Sequence, residues 1–259
     1  MSEPLFMEER RRLILEQLRD NGRVFVNELS NQLKVSAVTI RQDLRALESD
    51  GLLARTHGGA VQPVRLGKEQ PELSFDIRRT QYQEEKDALG RAAAQMVESG
   101  HAIALDASTT VCRIVPHLAH LDSLTIVTNN LLVAEMVLPY PRIRVLMPGG
   151  RIRRDSFSLV GMPQSLPDIN LNIGFVSAWG ITPQNGLTEV SEEEMYMKQA
   201  LLAHSMRKVA LIDSSKWDQV APYTYAQVED VDLILTTDHT PLPLRRALKH
   251  PSVTVVPVR

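Results

Sequence analysis

One short predicted helix near the amino terminus concentrates the side chains that could contact DNA bases. Residues 35–48 place three apolar side chains at i, i+4 and i+7, on one helix face: Ile40, Leu44 and Leu47. The opposite face carries three side chains that hydrogen-bond base edges or phosphates: Arg41, Gln42 and Arg45. This pattern predicts a helix that packs on a small core and enters a DNA groove.

The residues that flank this predicted helix indicate two further helices that would position it. Ser36 is a suitable N-cap, since its hydroxyl can accept from a free backbone N–H in the first turn. Residues 8–20 and 28–34 have the apolar spacing of two further helices, and 34–36 form the tight connection to the third. The three helices share one core, as in a helix-turn-helix.

A small hairpin is predicted after the third helix. Residues 23–26 and 52–56 are strand-like, and Gly58-Gly59 is a turn that brings a further strand back. Apolar spacing alone would fit any small helical domain, but this wing and the polar helix face favour a winged helix-turn-helix. The wing would place Arg55 and His57 near phosphates or the minor groove.

Beyond residue 76 the chain alternates between strand-like and helical segments. Seven apolar runs, several of them nearly continuous, read as strands: 101–106, 124–128, 143–147, 173–179, 208–213, 233–237 and 253–256. Four helical segments lie between many of them: 109–120, 130–138, 191–205 and 241–248. The pattern predicts an α/β domain with a mainly parallel sheet, in which ligands bind beyond the carboxyl ends of the strands.

Polar residues follow the first three predicted strands. They are Asp106, Ser108, Thr109 and Thr110 after the first, Thr128, Asn129 and Asn130 after the second, and Gly149, Gly150 and Arg153 after the third. Hydroxyls, backbone N–H groups and arginine suit a bound anion such as a phosphate. Each cluster alone could be simple helix capping. Three clusters on one sheet edge favour a pocket.

The chain resembles the DeoR-type bacterial sugar-metabolism repressors over roughly residues 7 to 258. In the head the resemblance rests on Val35-Ser36, 39–44, Leu47-Glu48, Gly51 and 55–60. In the second domain it rests on 106–110, 127–129, Gly149-Gly150 with Arg153 and Gly161, 186–188 with Glu194 and Lys198, and 213–216. The family's second domain is similar to the phosphosugar-isomerase fold, so the resemblance implies a Rossmann-like domain that binds a phosphorylated sugar.

Site residues follow from these motifs. We predict DNA contacts from Ser36, Val38, Thr39, Arg41, Gln42, Arg45, Arg55 and His57. We predict effector contacts from Asp106, Ser108, Thr109, Thr110, Thr128, Asn129, Asn130, Gly149, Gly150, Arg153, Glu194, Lys198 and Lys216. The chain departs from the family at Gln42, where a second arginine is usual, and at Ser108, where glycine is common. Asn172 and Trp179 are further departures, and Trp179 is either a core residue or a platform for a sugar ring.

Composition limits the alternatives. The 259 residues carry a formal net charge of -2, so any DNA contact should be local. Residues 1–61 hold nine Lys/Arg and nine Asp/Glu, so we expect a homodimer or homotetramer that pairs the heads. The single cysteine, Cys112, fits a reducing cytoplasm, and neither a signal region nor a membrane span is evident.

An enzyme of the sugar-phosphate isomerase type is the main alternative function. Asp106, Glu194 and Lys216 are candidate acids and bases by type, but no spacing pairs them. Glu194 and Lys198 are one turn apart, as in a surface ion pair. His117 and His120 have no further metal ligands nearby, and Cys112 is expected to be a buried thiol. We therefore predict no catalytic residue, no metal and no cofactor.

The sequence thus predicts a cytoplasmic transcriptional regulator of a carbohydrate-utilisation operon. The expected domains are a winged helix-turn-helix at 1–61, a linker at 62–75 and an effector-sensing α/β domain at 76–259. The expected partners are double-stranded operator DNA and a phosphorylated sugar, with no membrane. Induction by the effector is the default expectation.

Overall fold

The computed structural model describes residues 6–21, 23–49, 52–55, 58–61, 75–248 and 252–258. The chain forms two compact units, the head, which ends at Thr80, and the sensor unit, which begins at Gln81. Most of the predicted linker, residues 62–74, lies outside the described residues, as does His57.

Three helices and a three-stranded sheet build the head. The helices are α1 (Met7–Asn21), α2 (Val26–Leu33) and α3 (Ala37–Ser49). The strands are β1 (Arg23–Phe25), β2 (Ala54–Arg55) and β3 (Gly59–Val61). They pair antiparallel in the order β1-β3-β2, which confirms the predicted winged helix-turn-helix.

The turn between α2 and α3 is set by local hydrogen bonds. Lys34 takes the left-handed conformation with φ 52°, and Ser30 Oγ donates to the Val35 carbonyl at 2.6 Å. Ser36 Oγ then accepts from the Thr39 backbone N–H at 3.1 Å, so the predicted N-cap is present. These bonds end α2 and begin α3 within a few residues.

A fourth helix, α4 (Phe75–Thr80), belongs to the head. Its Ile77 packs against the apolar core formed by the first three helices and the wing. The predicted start of the second domain at 76 therefore differs from the division between the compact units, which lies after Thr80.

The sensor unit contains a seven-stranded sheet and two small ones. Its strands are β4 (Ala102–Leu105), β5 (Leu124–Thr128), β6 (Ile143–Leu146), β7 (Arg151–Arg153), β8 (Ser158–Val160), β9 (Leu171–Val176), β10 (Gly180–Thr182), β11 (Gly186–Glu189), β12 (Ser205–Ile212), β13 (Tyr223–Ala226), β14 (Leu233–Thr237) and β15 (Ser252–Val256). The large sheet has the order β15-β14-β12-β9-β4-β5-β6 and every pairing is parallel. The predicted mainly parallel α/β sheet is confirmed.

Helices surround this sheet. They are α5 (Gln83–Ala94), α6 (Leu131–Val137), α7 (Glu192–Ala203) and α8 (Leu242–Ala247). The predicted helix at 109–120 is instead a shorter 3₁₀ segment, Val111–His117. Pro116 lies inside that segment, and a proline has no N–H for a helical hydrogen bond. Within the described part of the chain, no helix has the length and apolar character needed to span a lipid bilayer.

Two antiparallel sheets were not anticipated from the sequence. Strands β7 and β8 form a hairpin, and β10, β11 and β13 form a three-stranded sheet. Each of these strands is only three or four residues long, too short to show a periodicity. The hairpin lies beside the end of β5, because the Leu159 N–H donates to the Asn129 carbonyl at 2.8 Å.

Candidate functional site

The predicted DNA-reading face of α3 is exposed. Arg41, Gln42 and Arg45 are all open to solvent, as is Val38 at 61% exposure. Ile40, Leu44 and Leu47 of the same helix are buried, with at most 1% exposure. The two faces predicted from the spacing are therefore those of the folded head.

A buried ion pair, which sequence reasoning missed, holds α3 against α1. Asp43 is 2% exposed and accepts from Arg10 Nε at 2.5 Å and from Arg11 Nε at 3.2 Å. Charged groups are seldom buried unless they are paired, so this contact fixes the rotation of α3 about its axis. The sequence did offer one indication of this burial: Asp43 follows Ile40 by three residues, which places it close to the apolar face of α3.

In the wing, Arg55 has a partner within the head. Its Nε donates to Glu48 Oε2 at 2.6 Å, and its backbone N–H donates to Glu48 Oε1 at 3.1 Å. These bonds lower the pKa of Glu48. A phosphate contact by Arg55 would require this exposed pair to open, which costs little because surface ion pairs are weak.

At the carboxyl edge of the large sheet, Asp106 is fully buried and organises the end of β4. Its Oδ1 accepts from the Ser108 N–H at 3.0 Å. Its Oδ2 accepts from the Ser177 N–H at 2.8 Å and from Lys198 Nζ at 2.7 Å. The carboxylate thus joins the ends of β4 and β9 to helix α7.

Lys198 is buried, and three oxygen atoms of the protein surround its ammonium. Besides Asp106, Nζ donates to the Ser177 carbonyl at 2.5 Å and lies 3.1 Å from Glu189 Oε2. Burial disfavours the ammonium, but the carboxylates of Asp106 and Glu189 outweigh it and raise the pKa of Lys198. Tyr225 closes the site, with its hydroxyl 3.0 Å from the same Ser177 carbonyl.

Glu194 forms a second buried cluster one turn earlier on α7. Its Oε1 accepts from Ser156 Oγ at 2.6 Å and from Ser158 Oγ at 2.5 Å, and its Oε2 is 3.4 Å from Asn129 Nδ2. Burial raises the pKa of Glu194 despite the serine hydrogen bonds, which act in the other direction. The predicted surface ion pair between Glu194 and Lys198 is therefore wrong: both are buried, and each has other partners.

The first turn of α5 adds two charged residues that the sequence analysis did not select. Glu85 accepts from Ser214 Oγ at 2.7 Å and from Thr237 Oγ1 at 2.6 Å, at the ends of β12 and β14. Lys86 Nζ donates to Thr109 Oγ1 at 3.2 Å. Both are buried, with 4% and 2% exposure. Glu85 and Lys86 precede Leu89 by four and three residues, so helical spacing could have predicted that they lie on the same buried face of α5 as Leu89.

At the end of β5 the predicted residues act partly as caps. Asn130 Oδ1 accepts from the Leu132 N–H at 2.9 Å and begins α6, and Thr128 Oγ1 accepts from the Asn130 N–H at 3.0 Å. Two buried amide atoms have no hydrogen-bond partner among the described residues: Asn129 Oδ1 and Asn130 Nδ2. Capping by Asn130 Oδ1 and donation from Asn129 Nδ2 to the Leu159 carbonyl thus leave one end of each amide without a partner among the described residues.

The remaining predicted effector residues are more exposed. Gly149 and Gly150 precede the β7–β8 hairpin. Gly150 has a φ of 138°, which favours glycine, and a Cβ there would lie 2.3 Å from the Val160 carbonyl oxygen. Arg153 lies 3.8 Å from Asp155. Lys216 is half-buried beyond β12 and its backbone N–H donates to the Asp213 carbonyl at 3.2 Å, whereas its ammonium has no hydrogen bond or ion pair with the residues that the structure describes.

Other candidate groups have ordinary surroundings. Cys112 is buried with its Sγ 3.2 Å from the Thr109 carbonyl oxygen. Trp179 is half-buried rather than in the core, whereas Trp217 is a core residue. Within the described ranges, no three His, Cys, Asp or Glu side chains are grouped as a metal site would require.

Comparison with known proteins identifies both units. The family model for the DeoR C-terminal sensor domain matches residues 81–238, and the DeoR-like helix-turn-helix domain matches residues 10–64. The HTH-type transcriptional regulator YgbI of Escherichia coli K12 is 33% identical over 93% of each chain. GolR of Listeria innocua is 34% identical over 90% of this chain and 91% of its own. The repressor GlcR of Bacillus subtilis is 31% identical over 90% of this chain and 89% of its own.

A ribose 5-phosphate isomerase A from Methanocaldococcus jannaschii superposes on only 51% of this chain and 53% of its own, at 15% identity and a TM-score of 0.39. A likeness this partial says nothing about activity. The relatives that span nearly the whole chain are named as regulators and repressors, which favours regulation over the isomerase alternative. The chain belongs to the DeoR family of helix-turn-helix transcriptional regulators.

Proposed function

We propose that this protein represses a carbohydrate-utilisation operon and is released from its operator by a phosphorylated sugar. It acts in the cytoplasm as a homodimer or homotetramer. One observation carries the proposal: a helix with Arg41, Gln42 and Arg45 on its exposed face and a polar sheet edge occur in one chain whose two units match the DeoR head and sensor domains.

The effector binds at the carboxyl edge of the large sheet. The loop Asp106–Thr110 supplies hydroxyls and backbone N–H groups to the phosphate, and Lys86 and Lys216 lie at the same edge as cations. The unsatisfied amide atoms of Asn129 and Asn130 are suited to sugar hydroxyls, since they provide one acceptor and one donor.

Lys198 has a structural role in this proposal. Its three donor positions are directed to Asp106, Ser177 and Glu189, so it holds the pocket's wall rather than the ligand. Glu194 likewise holds the β7–β8 hairpin against α7. Effector binding changes operator affinity by a factor that must equal the change in effector affinity caused by the operator.

The proposal is tested with the purified full-length protein and an operator selected from randomised duplexes. Glucose 6-phosphate, fructose 6-phosphate and glycerol 3-phosphate are added to the protein–DNA complex, with glucose and inorganic phosphate as controls. Release by one phosphorylated sugar, but not by the controls, is expected. Selection of no operator, or turnover of these compounds by the pure protein, would overturn the proposal.

A double variant locates the effector site. Thr109→Ala with Arg153→Ala should abolish the response while operator affinity stays unchanged, because both residues lie in the sensor unit. Loss of operator binding instead would mean that these residues are structural.

A further inference from the structure

The exposed face of α3 includes an aliphatic side chain. Val38 is 61% exposed, although the other aliphatic residues with branched side chains on α3 are buried. At 100° per residue, four exposed side chains fall within an arc of about 100°. They are Val38, Arg41, Gln42 and Arg45.

This face is held in one orientation. The Ser36 N-cap fixes the start of α3, and the ion pairs of Asp43 with Arg10 and Arg11 fix its buried side. Ser36 Oγ and Thr39 Oγ1 are 2.8 Å apart and bond to each other. The two hydroxyls at the helix start are thus already engaged within the head.

Val38 and Gln42 are separated by about one turn of α3. Their Cα atoms are separated by about 6 Å along the axis, close to two base-pair steps of about 3.4 Å. An isopropyl group makes no hydrogen bonds, and its complement in the major groove is the thymine methyl group. A glutamine amide offers one donor and one acceptor, which match adenine N7 and N6.

We propose, on the basis of the DNA-binding function proposed above, that Val38 and Gln42 together read A·T base pairs. Gln42 makes a bidentate contact to adenine, and Val38 packs on a thymine methyl within two base-pair steps of it. Arg41 and Arg45, which are exposed on the same face to one side of this pair, supply positive charge for phosphates or guanine.

The first test is selection from randomised duplexes with the full-length protein. The wild type should enrich an adenine that Gln42→Arg replaces by guanine, with discrimination of about fivefold to a hundredfold. Gln32→Arg is the matched control, because Gln32 is an exposed glutamine on α2. That variant adds the same charge and should leave the selected bases unchanged.

The second test removes one methyl group from the DNA. Deoxyuridine is placed, one position at a time, at each selected thymidine. At one position near the Gln42 adenine, this change should weaken wild-type binding about fourfold, in line with one buried methyl group. Val38→Ala, an exposed substitution that favours helix, should bind thymidine and deoxyuridine duplexes equally.

The outcomes separate this inference from the proposed function. If the wild type enriches no sequence, DNA-specific regulation and base reading both fail. If it enriches a sequence but Gln42→Arg enriches the same base, the assignment of Gln42 is overturned. Insensitivity to deoxyuridine at every position would overturn the role of Val38.

Discussion

Lys198 shows at the scale of one residue how a charged side chain can be structural. Its side chain is buried, and the groups around its ammonium come from three separate segments of the chain. A buried charge is tolerated when it is paired, but removing one partner leaves the other charges without compensation. The stability of the sensor unit therefore depends on this lysine.

Lys198→Met should destabilise the sensor unit by about 3–5 kcal/mol, because the carboxylates of Asp106 and Glu189 lose their counter-ion. Lys208→Met is the matched control, since Lys208 is half-buried and forms no side-chain ion pair with any described residue. Denaturant unfolding is followed by tryptophan fluorescence, because both tryptophans, Trp179 and Trp217, lie in the sensor unit. Equal denaturant midpoints for Lys198→Met and Lys208→Met would contradict the structural role of Lys198.

Glu194 makes stability depend on pH. Burial raises its pKa in the folded protein above the ordinary value of 4.5, so between these two pKa values the folded state binds more protons than the unfolded chain. This contribution is complete below about pH 4.5 and is lost as the pH rises through the folded pKa. Glu194→Gln, which cannot ionise, should therefore gain stability relative to the wild type as the pH rises above the ordinary value of 4.5 and through the folded pKa.

The unfolding free energies of both proteins at several pH values check this expectation. Glu192→Gln, an exposed residue of the same helix, should show no such trend. A difference in unfolding free energy between Glu194→Gln and the wild type that does not change with pH would contradict the raised pKa of Glu194.

At the scale of elements, the wing depends on one glycine. A Cβ on Gly59 would lie 1.9 Å from the Val24 carbonyl oxygen, so β1 and β3 could pair only after backbone movement. A Cβ on Gly58 would have nothing within 4 Å. Adjacent glycines in the sequence therefore have different structural requirements.

Gly59→Ala should destabilise the head by about 1–3 kcal/mol, as overpacking does, and weaken operator binding. Gly58→Ala should have little effect on either. Circular dichroism and operator titration report on the head, while tryptophan fluorescence should show an unchanged sensor unit. If both alanine variants bind DNA like the wild type, the close approach of β1 to β3 is not needed for function.

Helix α7 is the element that connects the two buried clusters of the sensor unit. Glu194 binds the serines of the β7–β8 hairpin, and Lys198, one turn later, binds the end of β4. One helix thus contacts both the hairpin and the end of β4 that leads into the loop after Asp106.

At the scale of the whole molecule, charge balance limits how the protein can bind DNA. Residues 1–61 hold equal numbers of basic and acidic residues, nine of each, and the chain has a net charge of -2. Bulk attraction to phosphates is therefore weak, and affinity must come from a few directed contacts. Paired heads double these contacts.

The selected operator should therefore contain two half-sites, about 10 base pairs or a multiple apart. Sedimentation of the free protein should show a dimer or tetramer, and a duplex with one half-site should bind far more weakly. Tight binding of a monomer to a single half-site would contradict this expectation.

Much of the fold and part of the site follow from local sequence patterns. The apolar spacing of α3, the Ser36 cap and the strand–helix alternation are properties of neighbouring residues, so the winged head and the parallel sheet were predictable. The polar strand ends were predictable as well, because parallel strands bring their carboxyl ends to one edge.

Only the tertiary structure decided which polar groups pair. Lys198 meets Asp106 across 92 residues, and Glu85 meets Thr237 across 152. The four-residue spacing predicted an ion pair between Glu194 and Lys198, because sequence spacing can relate only residues that are close along the chain. A buried charge requires a partner, and in this fold the partners of Lys198 and Glu85 lie on segments far from them in sequence.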